Sequence, residues 1–208
     1  GETGDDMLAT HKGHDMDQAE GISVHLHKTC GPHPDDHKAI SHYTKGKTDS
    51  GVEERRHKLD SINKPMTGPA SSSKGMAVKA IENTKKGLPT HTGLGPIDKA
   101  AHDALEKSYK PIGKTKDGRP VHLYSGVHPS FGEAIKAADP KKGGSGVIKT
   151  SETHMSFTHD VGVAAGFSTQ HENKVSHMIH MATKPSDHAV HVSHVEGNPF
   201  AQESETVV

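Results

Sequence analysis

The chain is predicted to be an α+β protein, on three observations. Helical spacing of apolar residues governs residues 36–110, strand alternation governs residues 111–208, and no regular βαβ alternation suggests a parallel nucleotide-binding sheet. From Asp35 onward, Ala39, Ile40 and Tyr43 lie on one helical face, and the acidic pair Asp35–Asp36 sits where a helix N-terminus favours negative charge. Lys45 and Gly46 end that helix. A second helix is expected over residues 51–63, with Val52, Leu59 and Ile62 as its apolar positions and Pro65 as its stop. Residues 68–73 read as a loop, and short helices follow at 75–83 and at 96–107, the latter opened by Pro96. After Pro111 the period becomes two. Residues 120–125 alternate as a strand, with Val121 and Leu123 on one face and His122 and Tyr124 on the other. A helix over 130–138, a glycine-rich loop at 141–146, strand-like stretches at 147–150 and 154–158 and helical spacing at 160–167 come next. Strands are expected at 177–182, 189–194 and 203–208. Residues 1–35 carry no sustained period, so they are expected to be a flexible or loosely attached arm before one domain at 36–208.

Composition narrows the class. Among 208 residues only 30% are apolar and 3% aromatic, with no Trp, 22 Gly and 12 Pro, a composition at the border between a loop-rich globular chain and a partly disordered one. A net charge of −1 gives no sign of nucleic acid as a partner, and no apolar run approaches the ~20 residues of a membrane span. The lone Cys30 excludes an internal disulfide. The 20 histidines are scattered among Ser, Lys and Asp. The pairs His25/His27 and His177/His180 and the series His188, His191, His194 lack a Cys cluster or a His-Glu-x-x-His helix, so no metal site is expected.

Three short segments carry candidate chemistry. Leu123-Tyr124-Ser125-Gly126-Val127 ends a strand. Ser156-Phe157-Thr158, with Asp160 and then Ala164-Ala165-Gly166-Phe167, lies 31 residues further on from Ser125. Glu203-Ser204-Glu205 follows Asn198-Pro199-Phe200, with Glu205 49 residues beyond Ser156. In this order they resemble the arginine–serine–glutamate class of mono-ADP-ribosyltransferases, which includes bacterial toxins and phage enzymes. That class has Tyr-Arg-Gly at a strand end, Ser-Thr-Ser before a helix with Ala and Phe, and Glu-x-Glu. The upstream run Ala39-Ile40-Ser41-His42-Tyr43-Thr44, followed by Ser61-Ile62-Asn63, resembles the family's helical lobe.

The resemblance implies a helical lobe (36–110) packed on a β-rich core (111–208) of two small, mainly antiparallel sheets. It implies NAD as substrate and a protein acceptor, an arginine side chain, as partner. Glu205 corresponds to the catalytic glutamate, whose carboxylate stabilises the oxocarbenium-like ribose formed when nicotinamide leaves. Glu203, placed on the same face by the period of two, corresponds to the residue that prepares the acceptor. Ser156 corresponds to the serine that braces the first strand and the nicotinamide pocket. Tyr124, Ser125, Gly126, Thr158 and Phe167 would line the NAD site, and Phe200 would touch the target protein. Ser125 stands where the class has its arginine. A serine offers one hydroxyl and no charge. Arg119, six residues earlier, lies roughly 20 Å away along a strand, and His122 faces the other way, so His128 is the expected replacement contact. A secreted toxin or phage protein acting in a bacterial cytoplasm would fit this reading. The alternative is a catalytically degenerate protein with a structural or interaction role, for example in a virion. The sequence leaves the oligomeric state open.

Overall fold

The computed structural model describes residues 16–44, 73–90, 99–127, 129–149, 154–168 and 177–208. The helix expected over 51–63, the Ser61-Ile62-Asn63 segment, most of the 68–73 loop and His128 lie outside the described residues.

The first element, α1 (Met16–Cys30), is a docked helix within the stretch 1–35 expected to be a loose arm; residues 1–15 of that stretch lie outside the described residues. Its Leu26 and Cys30 are fully buried against Ile112, Val121, Leu123 and Phe157, and His25 Nε2 lies 2.8 Å from the Ile112 carbonyl. Burying a Leu of this kind contributes on the order of 1.5–3 kcal/mol, which a short docked helix needs. A 3₁₀ turn (Pro34–Asp36), capped by His33 Nδ1 accepting from the Asp35 amide, leads into α2 (His37–Thr44). Next come α3 (Ser73–Lys85) and α4 (Lys99–Ser108). In α4, Ala101, Ala104 and Leu105 recur at helical spacing and pack with Ile40 of α2. The region expected to be a helical lobe is thus mainly helical where it is described before residue 109, with residues 86–90 a turn and an extended stretch after α3.

Strands follow as β1 (Lys110–Pro111) and β2 (His122–Val127), then α5 (Pro129–Ala138), β3 (Ser156–Thr158), α6 (Val161–Ser168), β4 (His177–Ala182), β5 (His188–His191) and β6 (Glu205–Val207). Helix α5 packs chiefly on α3. Residues 147–149 form no strand; the Lys149 carbonyl instead accepts one bond from the Thr90 amide at 2.8 Å.

Among the described residues the strands form one six-stranded antiparallel sheet, in the order β1-β5-β6-β3-β2-β4. The expectation of two sheets is therefore corrected. The physical reason is β6, whose two edges are both occupied: Val207 is opposite Val190 of β5 on one side and Ser156 of β3 on the other. Pro111, which cannot donate to a ladder, sits in edge strand β1. One face of the sheet, with Val190 and Val207, packs on α2 and α4; the other, with Leu123, Phe157 and Ala189, packs on α1. Among the described residues no helix is long and apolar enough to cross a membrane.

Candidate active site

The neighbouring strands β2, β3 and β6 bring the three motifs into register: Tyr124 is opposite Thr158, and Thr158 is opposite Glu205. Glu205 opens β6 half-buried, and its Oε2 accepts hydrogen bonds from the Ser156 hydroxyl and, at 3.2 Å, from the Tyr43 hydroxyl of α2. Residues 43, 156 and 205 thus meet on one carboxylate oxygen. Burial holds the Glu205 carboxyl above the usual carboxylate range and the nearby Glu203 charge adds to the rise, against the downward pull of the two hydroxyls. Glu203 is also raised, by burial.

Glu203 does not share a strand with Glu205. It closes a 3₁₀ turn (Ala201–Glu203), and Ser204 takes a left-handed conformation (φ 50°, ψ 43°) before the strand begins. The same-face expectation from a period of two fails for that reason. The pair stays close enough to be coupled electrostatically. Upstream, Asn198 shapes the approach: its Oδ1 accepts from the Phe200 amide at 2.9 Å and its Nδ2 donates to the Val192 carbonyl at 3.0 Å. Phe200 and Phe167 are both exposed.

The remaining expected residues serve the framework. Ser125 donates its hydroxyl to the Ser156 carbonyl at 2.7 Å, tying β2 to the strand that carries the Ser156 side chain. Thr158 is buried, and its Oγ1 accepts from the Asp160 amide. Asp160 in turn caps α6 by accepting from the Gly162 amide at 2.9 Å. Tyr124 is buried and stacks on His180 with ring centroids 5.0 Å apart.

Gly126 lies under α6. A Cβ there would sit 2.4 Å from the Ala164 carbonyl oxygen and 2.5 Å from the Ser168 amide nitrogen. Both are backbone atoms that cannot swing aside. Gly126→Ala should therefore push α6 off the sheet and cost about 1–3 kcal/mol, read as a lower urea midpoint with an unchanged slope.

Tyr43 is the residue that sequence reasoning missed. It falls on the apolar face of α2, where an aromatic reads as packing, and its hydroxyl was the signal that one end reaches a polar partner. With this geometry in place, comparison with family models, with curated proteins and with solved structures finds no match for the chain.

Proposed function

We propose that this chain is an NAD-dependent mono-ADP-ribosyltransferase that modifies arginine on a protein target. The observation that carries the reading is the convergence of Ser156 and Tyr43 on Glu205, with Glu203 alongside. Two hydroxyls fix Oε2, and among the described residues Oε1 has no protein partner, which leaves it to receive a ribose hydroxyl. An oriented carboxylate in a partly dry site would stabilise the positive ribose formed as nicotinamide departs with the bonding electron pair. The guanidinium nitrogen of the acceptor then bonds to the ribose carbon, and Glu203 takes its proton. Burial raises the basicity that this last step needs.

A second reading draws on Ser125. Its hydroxyl is committed to the Ser156 carbonyl, so the position of the class arginine offers no donor to the phosphates of a dinucleotide. This favours a structural or interaction protein without the chemistry. Incubation of the protein with labelled NAD and a bacterial lysate separates the two, with Glu205→Gln alongside. Label on an acceptor protein, lost in the variant, supports the transferase. No transfer, with no heat of NAD binding at millimolar donor, leaves the second reading.

The pH profile gives a further expected result. Glu205 acts ionised, so turnover should rise along an acid limb that lies above the ordinary glutamate value of 4.5. Glu203→Gln should shift that limb downward by removing a neighbouring negative charge. It should also spare nicotinamide release while removing transfer to arginine. An unmoved limb, or equal loss of both activities, would contradict this division of roles.

A further inference from the structure

A second cluster lies outside the acidic site, between α4 and the start of β3. His102 and Glu106 are one turn apart on α4 and so share a face. His154, only 2% exposed, meets them from the segment that leads into β3. One ligand atom from each of the three lies within 4.8 Å of the others.

His154 Nε2 is 2.9 Å from His102 Nδ1 and 3.6 Å from Glu106 Oε1. A single Nε2–H can be directed at only one of these two groups. A cation seated between them uses all three lone pairs at once. Four ligands around zinc, at about 2.0–2.1 Å each in a tetrahedron, stand roughly 3.3 Å from one another, a spacing that the two measured separations straddle. The other nitrogen of His154, Nδ1, lies 2.5 Å from the Tyr109 hydroxyl oxygen. With the proton on Nδ1 donated to that oxygen, the Nε2 lone pair is turned toward His102 and Glu106, the outer contact that orients metal-bound imidazoles. His102 is half-buried and Glu106 exposed, so solvent reaches the remaining coordination position.

We propose that His102, Glu106 and His154 form a binding site for one divalent transition-metal ion of the zinc class, with water as the fourth ligand. Two imidazoles and one carboxylate suit such an ion better than magnesium or calcium, which prefer all-oxygen sets. The ion pins α4 to the segment two residues ahead of Ser156, and it does so whether or not the acidic site transfers ADP-ribose.

The test uses the full chain stripped with a chelator and titrated with zinc by calorimetry, and with cobalt(II) followed by visible absorption. The expected result is one tight equivalent of zinc, a cobalt spectrum of low-coordinate type, and a zinc-dependent rise in melting temperature. His102→Ala, at a half-buried position, should fold normally by circular dichroism, weaken zinc by roughly a hundredfold or more and remove the thermal shift. Tyr109→Phe should weaken binding about tenfold. His122→Ala is the control, because His122 and His180 pair across β2 and β4 with nitrogens 2.8 Å apart and have no part in the site. Loss in His102→Ala but not in His122→Ala supports the proposal. Equal weakening in both, unchanged binding in His102→Ala, or no tight equivalent in the native chain overturns it.

Discussion

Glu205→Gln should lower both NAD hydrolysis and transfer by about two to three orders of magnitude, with the fold intact. Glutamine keeps the volume of glutamate, and its amide oxygen can still accept from Ser156 and Tyr43, the two groups that hold the side chain. What disappears is the negative charge beside the ribose. Removing one preorganised electrostatic contact of this kind from an active site costs on the order of 3–4 kcal/mol of transition-state stabilisation. Ser156→Ala should show a smaller loss, because the carboxylate remains but only Tyr43 orients it. Nicotinamide release and label transfer, measured together, check both variants. Retention of a tenth or more of native turnover in Glu205→Gln would remove this residue from the chemistry.

Acidification should destabilise the fold steeply, through His191. This imidazole has no exposed surface; its Nδ1 lies 2.8 Å from the Thr206 hydroxyl, and its Nε2 is buried without a partner among the described residues. Burial, reinforced by the charges that His159, His194 and His27 would carry, pushes it from the ordinary 6.5 down to about 3. The folded state therefore binds fewer protons than the unfolded state between those two values. Stability is then complete above pH 6.5 and declines as pH falls toward 3. At pH 5 the loss from this one group is about 2 kcal/mol. Urea melts at pH 7.5, 6 and 5 should show the decline. His191→Asn, whose amide can replace the Nδ1 contact and does not titrate, should flatten it. Parallel pH dependences in the two proteins would place the acid sensitivity elsewhere.

The elements that were legible in the sequence are those whose apolar residues face one neighbour. Ala39, Ile40 and Tyr43 mark α2, and the alternation from Val121 to Tyr124 marks β2. Helix α1 was illegible because its described part buries only Leu26 and Cys30 completely and fills the intervening positions with polar residues. The joining of the strands into one sheet was hidden for a different reason. β6 pairs with β3 across nearly 50 residues of chain, and no local pattern encodes a partner at that distance. In the acidic site, Ser156 and Glu205 were both named from the sequence and are joined by a hydrogen bond, whereas Glu203 was assigned to a strand that begins two residues later. The His102–Glu106–His154 cluster escaped for the same reason as the sheet. Its two helical members signal only a shared face, and the third comes from a segment about 50 residues on.

Ser204 carries a consequence for how this site can vary. Among the described residues it alone, apart from glycines, has positive φ, and it stands between the two glutamates. A left-handed residue acts there as a fixed elbow: the torsions at 204 set the angle at which the Glu203 carboxylate leans toward Glu205. Glycine would occupy the elbow without strain but let it swing, and asparagine or aspartate would tolerate it. A β-branched residue would be forced out, and the turn would straighten into a longer strand. The amino acid in the middle of Glu-x-Glu, with no charge of its own, is thus the dial on the distance between the two carboxylates. Libraries that hold both glutamates constant and vary only position 204 would sample the geometry of the acidic pair without touching either carboxylate.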